Sequence, residues 1–265
     1  ALATQARGVP WLEGRSGLVQ TSGAGVDVHT ITVPAEAIAG STRLEMAIAP
    51  SWTASVDDVL VRLRRYPYGC VEQTVHRFLP ALQAATALEA VHAPDATRRA
   101  QLKRLVADGA RRLVQMQNAD GSFGWFAGRS GNLAMTAYAL RGLRAAIASG
   151  ESYAIPAAQK ALRALDQLLP GGTPDEQALA HLARSEGGTV DAEAFALTFR
   201  RRDGGLSTTG LAWLTRAALR ADRRRDADEL IRLLLAQAKD DGTRVSWSGR
   251  ADDDFVGSDV EATAA

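Results

Sequence analysis

Tyr66-Pro67-Tyr68-Gly69-Cys70-Val71-Glu72-Gln73 is the stretch from which the rest of the chain is read. Cys70 is the only cysteine among 265 residues, and Gln73 follows three positions later. Behind it an apolar pattern runs at helical period through Val71, Val75, Phe78, Leu79, Leu82, Leu88 and Val91. Residues three apart on a helix share a face, with Cβ atoms about 5–6 Å apart. The Gln73 carboxamide therefore lies within reach of the Cys70 sulfur. A thiolate that attacks that carboxamide and expels ammonia leaves an internal thioester, which a nearby nucleophile can open.

Each position in the motif has a chemical reason. A cysteine at a helix N-terminus meets unpaired backbone N–H groups and the positive end of the macrodipole, so a lowered thiol pKa is expected. Gly69 relieves crowding before the cysteine, and Pro67 stiffens the approach. Tyr66 and Tyr68 are large enough to cover a small acyl group and keep water from it. Glu72 is expected to face away from the Cys70–Gln73 pair by helical geometry and receives no role. The competing reading of Cys70 is a small buried core residue, which is how free cysteines often behave.

Composition bounds the possibilities. Apolar residues make up 46%, enough for a core, and the net charge of +1 gives no strong field towards nucleic acid or membrane. One cysteine excludes an intrachain disulfide, and no stretch is long and apolar enough for a membrane helix. The arginine runs at 64–65, 98–99, 111–112, 200–202 and 223–225 are dispersed and free of interleaved aromatics, so nucleic-acid binding is not indicated.

Outward from the motif, the alternating β-branched stretches 26–33 and 43–48 predict two short strands. Two strands cannot bury a sheet, so they read as the stub of an adjoining β domain. From Thr53 the texture is helical. Helices are expected at 55–64, 71–91, 95–117, 132–148 and 156–169, with Pro80 bending the second. Thr173-Pro174-Asp175-Glu176 is a capping box with proline at the first helical position, and further helices are expected at 190–200, 206–221 and 226–239. Leu113…Asp120-Gly121-Ser122…Trp125 recurs as Leu234…Asp241-Gly242-Thr243…Trp247, and Asp203-Gly204 is a weaker copy. Repeated helical hairpins with short turns suggest antiparallel pairs arranged around an axis. Trp125 and Trp247 read as structural caps on hairpin ends. Ser258-Asp259-Val260-Glu261 opens a helix close to Ala265, and with the orphan strands it suggests a fragment of a longer protein.

The motif at 66–73 resembles the thioester motif of bacterial α2-macroglobulins, with complement thioester proteins more distant. The resemblance is specific there, looser over 51–265 and slight over 1–50. It implies an all-α fold, an α/α toroid of antiparallel hairpins at 51–265, behind the β stub at 1–50. It also implies a protease trap, exported to the periplasm and often anchored at the inner membrane through the parent protein. In that mapping Cys70 and Gln73 form the thioester bond, Tyr66 and Tyr68 shield it, and the partners are target proteases caught through lysine amines. The other domains of the parent protein are further partners. A single-use covalent trap is not an enzyme; no catalytic residue, cofactor or metal is expected, and the domain reads as a monomer.

Two other readings stay open at this stage. The Asp-Gly-Trp repeat is similar to one in some terpenoid cyclases, which share the toroid, but Asp252-Asp253-Asp254 matches neither of their acidic motifs. An inert interaction domain with a structural cysteine is the other. A cysteine hydrolase would need a base near Cys70, for which His76 is the nearby candidate. None of His29, His76, His92 and His181 makes a metal spacing. His181 lies about as far downstream as a histidine that redirects some complement thioesters to hydroxyl groups. It falls inside a helical pattern and reads as structural, so amines are the expected nucleophiles.

Overall fold

The computed structural model describes residues 28, 30–46, 69–89, 96–188, 190–242, 244–249 and 258–264. Two compact units divide the chain, Ala1–Pro50 and Ser51–Ala265. In the first, the described residues run as turns and irregular backbone, with the Ala37 N–H donating to the Pro34 carbonyl and the Ser41 N–H to the Ile38 carbonyl. The strands expected at 26–33 and 43–48 do not form among their described residues, and Val28, Val33, Leu44 and Met46 are exposed. Alternating β-branched residues fit a half-buried pleated surface rather than dictating one. Such a strand needs a neighbour's N–H and C=O groups.

The second unit is helical among its described residues. Helix α1 spans Val71–Glu89 and α2 Ala96–Met116. Then come α3 at Leu133–Ala148, α4 at Ile155–Leu168 and α5 at Pro174–Ser185. Helices α6 at Ala192–Phe199, α7 at Thr208–Arg220, α8 at Arg224–Ala236 and α9 at Asp259–Ala264 complete the order. Strands β1 (Lys239–Asp240) and β2 (Val245–Ser246) pair as a short antiparallel hairpin after α8. The helix expected at 55–64 lies outside the described residues.

Local chemistry sets the starts. Asn132 accepts the Met135 N–H, Asp191 those of Glu193 and Ala194, and Ser207 that of Gly210. At α5 the capping box is complete: Glu176 N–H donates to Thr173 Oγ1, and Thr173 N–H donates to Glu176 Oε2. In the repeat, Gly121 and Gly242 both adopt left-handed backbone, at φ 88° and 82°. Trp247 acts structurally, its indole N–H donating to the Leu234 carbonyl at 2.7 Å.

Helix packing follows an inner and an outer row. Consecutive odd-numbered helices touch one another, α1 on α3, α3 on α5 and α5 on α7, while each also packs against the even-numbered helix that follows it. This is the order expected of hairpins curving around an axis, as in an α/α toroid. The inner helix α3 is buried nearly all round: Leu133, Met135, Leu140, Leu143 and even Arg141 are sequestered. In the outer helix α8 the fully buried positions are Ala227 and Leu230. A helix with two protein-facing sides needs apolar or paired residues on both, whereas an outer helix needs one stripe. The buried Arg141 is matched by Glu186, whose carboxylate accepts its Nε–H and lies 2.9 Å from its Nη2.

The α1–α2 contact has no slack. A Cβ at Gly109 would lie 2.3 Å from Cδ1 of the fully buried Phe78 ring. Alanine inside a helix gains up to about 1 kcal/mol in propensity, but overpacking costs about 1–3 kcal/mol. Gly109→Ala is therefore expected to lower stability by about 1–2 kcal/mol, read as an earlier urea midpoint; an unchanged or later midpoint would contradict this packing.

His181 sits in α5 with no exposed surface. Its Nε2 lies 3.0 Å from Thr198 Oγ1, and its ring packs 5.5 Å from Phe195, so the structural expectation for this residue fits its place in the core. Burial pushes its pKa down to about 4, with Asp191 opposing weakly. Between that value and about 6.5 the unfolded chain binds a proton that the folded chain refuses. Stability is then lost as pH falls through this window, by about 2–3 kcal/mol near pH 4.5. The drop in urea midpoint between about pH 7 and pH 4.5 should be smaller in His181→Gln, and an equal drop in both proteins would rule out this linkage.

Candidate functional site

The site is built on the first turn of α1. Cys70 precedes the first helical residue, and its carbonyl accepts the Thr74 N–H at 2.9 Å, the first bond of the helix. Its sulfur accepts the Gln73 N–H at 3.3 Å, and the Gln73 side-chain oxygen accepts the Cys70 N–H at 3.4 Å. This is the reciprocal pattern of a capping box, with sulfur in place of a hydroxyl and glutamine at the third helical position. Two otherwise unsatisfied N–H groups are covered by the two side chains that the sequence pairs. Thr74 Oγ1 adds a 2.7 Å bond to the Cys70 carbonyl.

Neighbouring elements fix this turn in place. The Val71 N–H donates to the Trp125 carbonyl at 2.9 Å, tying the helix start to the loop before α3. From α2, Arg112 donates to the Gly69 carbonyl at 3.1 Å. A Cβ at Gly69 would sit on the end of that guanidinium, so the glycine leaves room for it. Cys70 is buried, at 4% exposure, while Trp125, whose carbonyl meets the Val71 N–H, is 42% exposed.

Glu72 corrects the expectation that it faces away. Its Oε2 lies 3.8 Å from the Cys70 sulfur, and its Oε1 lies 3.1 Å from His76 Nδ1. His76 Nε2 is in turn 3.2 Å from the hydroxyl of Tyr138 on α3, the rings meeting edge to face at 5.3 Å. With a proton on Nδ1 the imidazole donates to Glu72, and its Nε2 meets the Tyr138 hydroxyl. Helical geometry assumes that Cys70 is itself helical. As the residue before the helix, it swings its side chain over the first turn, where Glu72 meets it.

The expected acidification of Cys70 is also corrected. Burial pushes the thiol above its usual range, and the Glu72 charge acts the same way, against the Gln73 N–H bond that favours thiolate. The His76 hydrogen bond holds the Glu72 carboxyl below its usual range against the opposing effect of burial. The resting proton therefore belongs on sulfur.

Of the sequence candidates, Cys70 and Gln73 lie together. Tyr66 and Tyr68 lie outside the described residues, as do His29, His92 and Asp252-Asp253-Asp254. His76, weighed earlier as a hydrolase base, has both ring nitrogens engaged by Glu72 and Tyr138. Tyr138 carried no sequence signal, because it arrives from a different hairpin 62 positions away. The Glu72–His76 spacing of four was legible as a helical pair. Among the described residues, no group of three or more His, Cys, Asp and Glu is placed to hold a metal ion, and no helix is long and apolar enough to cross a membrane.

Residues 43–198 match the family model of the A-macroglobulin TED domain. The chain is 33% identical over 137 residues to an alpha-2-macroglobulin of Thermotoga maritima, a match covering 52% of this chain and 8% of that protein. Native alpha-2-macroglobulin from Escherichia coli, spanning MG7 to the C-terminus, is similar at 26% identity and a TM-score of 0.56, over 68% of this chain and 31% of that one. Salmonella alpha-2-macroglobulin reacted with methylamine is similar at 27% identity and a TM-score of 0.56, over 71% of this chain and 13% of that one. The chain thus spans a small part of the length of these relatives. With its helical fold and a match over more than half of its residues, it belongs to the A-macroglobulin TED domain family.

Proposed function

We propose that Cys70 and Gln73 condense to an internal thioester, and that the domain is the reactive module of a bacterial protease trap. The observation that carries this reading is the reciprocal pairing of the two side chains over one helical turn, inside a TED domain. In the making step, sulfur bonds to the Gln73 side-chain carbonyl carbon, the C–N bond breaks, and ammonia leaves with the thiol proton. In the opening step, a lysine amine of an attacking protease takes the acyl group. The nitrogen loses a proton, the C–S bond breaks, and the Cys70 thiol is restored. Each domain reacts once, so the chemistry is inhibition rather than turnover.

The same reading makes the rest of a larger protein, exported to the periplasm, the source of the trigger that exposes the bond. It gives Tyr66 and Tyr68 the task of shielding it. The Salmonella relative was reacted with methylamine, and that small amine is a suitable probe here. Intact mass before and after methylamine is expected to start one ammonia short of the sequence and then gain one methylamine, with a thiol appearing at Cys70. Cys70→Ser keeps an oxygen acceptor for the Gln73 N–H and hence the helix cap, which is worth about 1 kcal/mol over Cys70→Ala. Both variants should show full mass and form no adduct. A wild-type chain of full mass with a free thiol, or adducts that persist in Cys70→Ser, would overturn the thioester.

A further inference from the structure

Cys70, Glu72, His76 and Tyr138 form a hydrogen-bonded series, with sulfur to carboxylate at 3.8 Å, carboxylate to imidazole at 3.1 Å and imidazole to phenol at 3.2 Å. In the familiar hydrolytic arrangement an imidazole touches the nucleophile and a carboxylate stands behind it. Here the order is reversed, with the carboxylate touching sulfur. We propose that Glu72 is the proton carrier of the thioester chemistry, taking the thiol proton as the bond is made and returning one to sulfur as an amine breaks it, with His76 and Tyr138 as positioning residues. The inference rests on the thioester reading above and assigns its proton path.

The atoms balance in both directions. In making the bond, the Cys70 S–H proton passes to Glu72 Oε2 while sulfur attacks the Gln73 carbonyl carbon, and Glu72 then delivers that proton to the departing nitrogen, which leaves as ammonia. In opening it, the attacking amine loses a proton to Glu72, and Glu72 passes it to sulfur as the C–S bond breaks. The Cys70 N–H already points at Gln73 Oε1, the oxygen that carries negative charge in the tetrahedral intermediate of either direction.

Proton affinities explain why the carrier works only during reaction. At rest, burial and the nearby carboxylate keep the proton on sulfur. As the S–C bond forms, sulfur loses its affinity for the proton, and Glu72 becomes the better base. As that bond breaks, a basic thiolate appears beside a carboxylic acid and recovers the proton. Among the described residues, the groups facing Glu72 are Cys70 just before its helix, His76 on it and Tyr138 behind His76 on α3, while Arg112 on α2 is turned to the Gly69 carbonyl.

The test compares intact mass and methylamine opening rates of the whole chain with those of Glu72→Gln, Glu72→Ala and Tyr138→Phe. General acid–base help is worth about 100-fold or more, so Glu72→Gln should open about 100-fold more slowly than wild type. Added formate should speed Glu72→Ala and leave wild type unchanged, a rescue that a purely structural role would not show. Tyr138→Phe should shift the rate less than Glu72→Gln. A Glu72→Gln chain of wild-type helicity but full mass supports the carrier in the making step. An ammonia-short Glu72→Gln chain that opens at the wild-type rate overturns the inference and leaves the thioester standing. A wild-type chain of full mass overturns the thioester reading and this inference with it.

Discussion

The start of α1 is capped by sulfur, a weak acceptor, where most helices use a hydroxyl or a carboxylate. The proposed thioester would give that capping geometry a second purpose. A capping box brings the side chain before the helix and the side chain at its third position into reciprocal contact. Cys70 and Gln73 are therefore held together by the same bonds that let the helix begin. The spacing of three is a requirement of the backbone first, and the proposed thioester would use it second. Helix nucleation, which is costly in isolation, is thereby coupled to bringing Cys70 and Gln73 together.

The two-row packing supports this turn from three sides. Helix α2 supplies Arg112 to the Gly69 carbonyl, the loop before α3 supplies the Trp125 carbonyl to the Val71 N–H, and α3 supplies Tyr138 to His76. Each comes from an element that packs on α1 or leads into its neighbour. The close approach of Gly109 to Phe78 sets the height of α2 on α1, and so the position from which Arg112 reaches the motif. Helix α1, packed by α2 and α3 through the buried stripe Val71, Val75 and Phe78, is the base on which this turn stands.

Much of this was legible in the chain. Val71, Val75 and Phe78 are buried as their spacing requires, and Asn132 and Thr173 cap the helices they precede. These are short-range effects, set by period and by one side chain bonding its own turn. The expected strands at 26–33 and 43–48 depended on a partner edge that their described residues do not have. Glu72 was misplaced because a helical wheel cannot represent the residue before the helix. The thiol's proton affinity was misjudged because the N-terminal N–H was counted, while burial and the neighbouring carboxylate were not. Tyr138 required the α1–α3 contact, which no local pattern encodes.

A carboxylate rather than an imidazole beside the sulfur bears on which nucleophile the site would accept. An amine attacks through a lone pair and needs its proton removed only after the new bond has begun to form, which a weak base can do. A hydroxyl is a far poorer nucleophile unless a stronger base takes its proton as it attacks, or unless an imidazole first accepts the acyl group. His76 has its ring nitrogens committed to Glu72 and Tyr138. His181 is fully buried, bonded to Thr198 and packed on Phe195. His76 would have to break one of these contacts to take an acyl group, and His181 is sealed in the core. If Cys70 and Gln73 form the proposed thioester, the described groups around Cys70 would favour amines over hydroxyls, through which group touches the sulfur rather than through any pocket for the nucleophile.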